Sequence, residues 1–92
     1  MEGYIVRRKI GKWRVSIDLG RIAGVKEGME FIVYKKGQII RHPETKEILD
    51  VETIETGKIL ITMVKDKISK ATIIKETTSG AILFGQMVKS LP

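Results

Sequence analysis

Apolar and polar residues alternate one by one along most of this chain, the periodicity of strands with one face on a core and the other in water. Tyr4, Val6, Arg8 and Ile10 alternate with Ile5, Arg7 and Lys9, and Trp13, Val15 and Ile17 alternate with Arg14, Ser16 and Asp18. The two runs flank Gly11-Lys12 and predict an antiparallel hairpin turning there. Leu19 to Gly28 contains Gly20, Gly24 and Gly28, which suits an ordered loop rather than a helix, with Val25 plugging the core from it. Met29 to Lys35 reads as a strand ended by Lys36-Gly37, and Gln38 to Arg41 as a short β-branched piece. In His42-Pro43-Glu44-Thr45-Lys46 the proline occupies the second position of a type I turn, and Ile48, Leu49 and Val51 begin the return.

A long strand from Ile54 through Gly57 to Val64 follows, the glycine allowing a bulge or bend of the kind small barrels use at corners. Lys65-Asp66-Lys67 turns into Ile68 to Lys75, Glu76 to Gly80 is a polar loop, and Gln86 to Leu91 is a closing strand. So many short strands in one chain predict an all-β fold. The expected architecture is a small barrel of about six mainly antiparallel strands, partly open or closed, occupying 1–92 as a single domain. Its expected core is Tyr4, Val6, Trp13, Val15, Ile17, Val25, Phe31, Val33, Ile59, Ile61, Ile73 and Val88.

Composition narrows the chemistry. With 92 residues, no cysteine and one histidine, disulfides, thiolate nucleophiles and sulfur metal sites are excluded, and no metal ligand set stands out. His42 precedes Pro43 in the turn and is read as an exposed turn residue. Gly20 to Gly28 lacks the Lys-Ser or Lys-Thr ending of a phosphate-binding loop and leads into a strand. The eleven carboxylates are dispersed, so no catalytic residues, cofactor or small-molecule substrate are expected and the chain is read as non-enzymatic. The longest apolar runs are four residues, Phe31 to Tyr34 and Ala81 to Phe84, against the roughly 20 a membrane-spanning helix needs. Cations at Arg7, Arg8 and Lys9 replace the apolar stretch of a signal peptide, which predicts a cytoplasmic location.

Charge is segregated. The net charge is +6, and residues 7 to 14 carry Arg7, Arg8, Lys9, Lys12 and Arg14 without an acid. Residues 44 to 55 carry Glu44, Glu47, Asp50, Glu52 and Glu55 against Lys46. Arg7, Lys9, Lys12 and Arg14 can share the solvent face of the first hairpin, a surface suited to phosphates, with Trp13 or Tyr4 as stacking groups if they are not in the core. Ile39, Ile40, Ile82, Leu83 and Phe84 do not alternate cleanly; they either cover barrel ends or form an oligomer or partner interface.

The order of motifs carries a resemblance. Val15-Ser16-Ile17-Asp18-Leu19-Gly20 and Gly24-Val25-Lys26-Glu27-Gly28-Met29-Glu30-Phe31-Ile32-Val33-Tyr34 resemble the opening of the C-terminal β-barrel domain of the bacterial flagellar assembly protein T, and of related modules appended to curli-secretion-channel-like proteins. Pro43-Glu44-Thr45-Lys46-Glu47-Ile48-Leu49, Gly57 to Val64 and Ser69 to Ile74 continue it. The resemblance implies a small barrel used as an assembly or interaction module with no active site. The family often has glycine where Lys46 stands, so the resemblance implies either a left-handed turn position that costs about 1 kcal/mol here or a different turn. The expected function is therefore a non-enzymatic protein-interaction or assembly module with a protein partner or a second copy. The alternative is a nucleic-acid-binding barrel using Arg7, Arg8, Lys9, Lys12 and Arg14.

Overall fold

The computed structural model describes residues 1–8 and 12–91. Six strands form one antiparallel sheet: β1 (Glu2–Arg8), β2 (Arg14–Ile17), β3 (Glu30–Arg41), β4 (Ile48–Val64), β5 (Ser69–Glu76) and β6 (Met87–Ser90). The sheet closes on itself in the order β1-β2-β5-β4-β3-β6, so the all-β barrel is closed. Closure removes free strand edges from the body. The only helical turn among the described residues is Arg21–Ala23. Lys9, Ile10 and Gly11 of the predicted first turn lie outside the described residues, but β1 and β2 pair antiparallel as that hairpin requires.

The alternating residues fill the ring. Ile5, Val15, Ile17, Val25, Phe31, Val33, Ile59, Ile61, Ala71, Ile73, Ile82 and Val88 form one buried cluster. Nine of the twelve expected core residues are in it; Tyr4, Val6 and Trp13 are not. Tyr4 is 52% exposed, Trp13 is 61% exposed and Val6 is half-buried. The cause on β1 is a register shift between Ile5 and Arg7, where Val6 is an extra residue opposite β2. Before it, Gly3 and Ile5 face inward; after it, Arg8 lies opposite Val15 on the inner side. Trp13 precedes β2, its carbonyl accepting the Ile73 amide at 2.8 Å. Ile82, from the loop between β5 and β6, takes the interior space instead, fully buried against Gly57.

Two expected strands are longer than the glycines suggested. β3 runs through Gly37 to Arg41, and β4 extends back to Ile48, so the pieces on either side of the His42–Glu47 turn are one continuous hairpin. His42 Nδ1 accepts the Glu44 and Thr45 amides at 3.1 and 3.3 Å, and Lys46 has φ 63°, in the left-handed region. At Gly57 a Cβ would lie 2.2 Å from the Lys75 carbonyl oxygen, so only glycine lets β4 cross β5 there.

Candidate interaction surfaces

The β1 register shift sorts the basic residues of the first hairpin onto different surfaces. Arg8 turns inward and pairs with Glu76, whose side chain is only 3% exposed. The Arg8 guanidinium also donates to the Ile82 carbonyl at 2.7 Å, and the Ile82 amide donates to Glu76 Oε2 at 2.9 Å. This arrangement fastens the β5–β6 loop over the barrel end. The Arg8 hydrogen bond, together with the Ile82 amide, holds the Glu76 carboxyl below the usual carboxylate range despite its burial. A second polar link supports the same loop: the Thr56 hydroxyl donates to Gln86 Oε1 at 2.8 Å, and Gln86 Nε2 donates to the Ala81 carbonyl at 2.9 Å. Arg8 therefore holds the fold at the barrel end through Glu76 and the Ile82 carbonyl.

Arg7 and Arg14 remain on the outer surface. They line an open cleft of about 710 Å³ with Lys70, Thr62, Met63 and Thr72, so half of that surface comes from β4 and β5. None of Arg7, Arg14 and Lys70 forms an ion pair among the described residues. Lys12 faces a separate cleft of about 510 Å³, with Trp13, Leu83 and Phe84 around the Arg8–Glu76 pair. Phe84 is 74% exposed, and Leu83 is exposed beside it. Of the four cations expected on one solvent face, Arg7 and Arg14 line one cleft, Lys12 lines another, and Lys9 lies outside the described residues; Arg8, the fifth candidate, is paired with Glu76 beside Lys12. The contribution of Lys70 was hidden in the sequence because it depends on β2 pairing with β5, where Ser16 lies opposite Lys70.

The third surface is the outer half of the β3–β4 hairpin. β6 pairs with β3 only over Phe31–Tyr34, and β5 pairs with β4 only from Gly57 onward. Beyond those points the two strands leave the ring as a two-stranded ribbon paired only with itself among the described residues, from Lys35 opposite Ile54 out to Arg41 opposite Ile48. Ile39, Ile40, Ile48, Leu49 and Ile54 are all exposed on it. Ile39 lies opposite Val51 and Ile40 opposite Asp50, so adjacent isoleucines point to opposite faces and neither face is covered. An isolated two-stranded ribbon is marginal in water, and this one also has two open backbone edges.

Taken together, these features define a small closed β-barrel with a projecting ribbon and two open side clefts. No family model matches the chain, and no curated protein sequence does. No helix among the described residues is long and apolar enough to cross a membrane, and no group of three or more metal-ligating side chains occurs among them.

Proposed function

We propose that this protein is a non-enzymatic interaction or assembly module whose binding element is the β3–β4 ribbon. The observation that carries this reading is the exposure of Ile39, Ile40, Ile48, Leu49 and Ile54 on an element with no layer on either face. Exposed apolar residues are ordinary when scattered, but grouped on one protrusion they mark a surface that a partner covers. The resemblance of Val15 to Val88 to flagellar assembly barrel modules supports the same class of role. A photo-crosslinking residue at Leu49 in living cells is expected to give a discrete cross-linked species, whereas one at exposed Lys26 on the body is not. Equal, diffuse labelling from both positions would reject the ribbon as the binding element.

A second reading rests on a separate observation. Trp13 is exposed next to Lys12, and Arg14 follows it in the cation-lined cleft, so a stacking group and phosphate-binding groups adjoin. This supports single-stranded nucleic acid as a ligand of the body. Trp13 is the only tryptophan, so its fluorescence reports directly. Quenching by oligonucleotides that weakens steeply with salt and with Arg14→Ala supports this reading, and unchanged emission at low salt removes it.

A further inference from the structure

We infer that the ribbon's occupant is a second copy of this chain, with the acidic ribbon tip of one molecule seated in the Arg7–Arg14–Lys70 cleft of the next. This inference rests on the ribbon being the binding element and adds the partner. The two surfaces are chemically complementary. The tip reads Glu47-Ile48-Leu49-Asp50, with Glu44 in the turn and Glu52 behind, so residues 41–52 carry four acids against Arg41 and Lys46, and none of these acids forms an ion pair among the described residues. The cleft sets three cations without ion pairs around the exposed Met63 side chain. Acids flanking aliphatic side chains thus meet cations flanking a thioether.

Charge distribution selects this contact over others. Residues outside 35–55 carry 13 Lys and Arg against six Asp and Glu, while residues 35–55 carry four against five. Two bodies repel and a ribbon and a body attract, which favours a head-to-tail approach.

Geometry makes the contact intermolecular. The tip and the cleft lie on the same strand, β4, with Asp50 in the ribbon and Thr62 in the cleft. Twelve extended residues separate them, up to about 40 Å, and the ribbon runs away from its own cleft. The molecule's longest extent is 49 Å, consistent with binding ends at opposite poles. A contact between different surfaces on two copies either closes reciprocally, each tip in the other's cleft, or builds larger rings or chains.

Sedimentation velocity over a concentration series tests this arrangement. The wild-type protein is expected to associate into dimers or larger species at low salt and to disperse at high salt. Reversing the tip (Glu47→Lys with Asp50→Lys) or the cleft (Arg14→Glu with Lys70→Glu) is expected to weaken association at least about tenfold in each case. All four side chains are exposed, and an unchanged urea midpoint verifies that each variant is folded. Mixing the two variants restores association, because the native tip of one meets the native cleft of the other. A wild-type protein that stays monomeric at low salt overturns the inference. So does a cleft-reversed variant that associates like the wild type, which would indicate ribbon-to-ribbon packing, or a mixture that stays monomeric. If the wild type is monomeric while Leu49 cross-links to a different protein in cells, self-docking falls and the ribbon's role as a binding element stands.

Discussion

β3 and β4 each pass through two environments, and the contrast between their halves explains the molecule. Inside the ring, Phe31 lies opposite Ile59, and both strands have a second neighbour that satisfies their outer edges. Outside the ring the same strands continue, but among the described residues Ile39 opposite Val51 has no further strand beside it, and Ile39 is exposed. Strand formation alone therefore does not create stability. The closed half is held by burial and complete pairing, and the open half keeps its apolar side chains available for another molecule.

Substitutions should separate the halves by size of effect. Phe31→Ala empties a fully buried site and is expected to cost about 3 to 5 kcal/mol in urea unfolding, as for other large core truncations. Leu49→Ser in the ribbon should change the isolated protein by about 0.5 kcal/mol or less, the range of surface substitutions. Similar costs at the two positions would break the distinction.

The Arg8–Glu76 pair ties the barrel end to its loop, so Glu76→Gln leaves a largely buried guanidinium without its counter-charge. The expected loss is about 2 to 3 kcal/mol at neutral pH, somewhat below a fully buried pair because Arg8 keeps 17% exposure. The native carboxyl has the lower pKa, so its stabilisation is present in full above the ordinary glutamate range of about 4.3 and disappears as pH falls through the lowered native value. Wild-type stability should therefore fall more steeply than that of Glu76→Gln on acidification below that range; parallel pH curves would show that the pair contributes nothing.

Smaller effects test finer points. The Ser69 hydroxyl is fully buried without a hydrogen-bond partner among the described residues, and Ser69→Ala should stabilise the barrel by up to about 1 kcal/mol by removing an unsatisfied polar group. Destabilisation instead would show that the hydroxyl is satisfied in solution. Lys46→Gly should relieve the left-handed strain of the ribbon turn, worth about 1 kcal/mol, and raise amide protection in residues 39–51 while leaving the barrel's unfolding midpoint nearly unchanged.

The sequence pattern made the closed half readable because Phe31 and Val33, Ile59 and Ile61, and Ala71 and Ile73 recur at every second position of strand-length runs, even though apolar Ile32, Tyr34, Leu60 and Ile74 lie on the opposite face. It misled at Tyr4 and Val6 because one extra residue in β1 reverses the inward face, and such a bulge leaves no periodic signature. Trp13 was assigned to the core on size, whereas Ile82 from a distant loop fills the end of the ring. The ribbon was only half legible. The uncovered Ile39-Ile40 pair, the turn and the passage of a strand through Gly57 were visible, but Lys36-Gly37 read as a strand end where β3 runs on to Arg41. Lys70 joined the cationic cleft only through the β2–β5 pairing, a contact between segments more than fifty residues apart.

Amide hydrogen exchange, resolved by residue, tests most directly whether one hairpin has a sealed half and an open half. In the dilute protein at high salt, the amides of Ile39, Ile40 and Val51 are expected to exchange at least about a hundredfold faster than those of Phe31, Val33 and Ile59. Equal protection along the whole length of β3 and β4 would contradict the account.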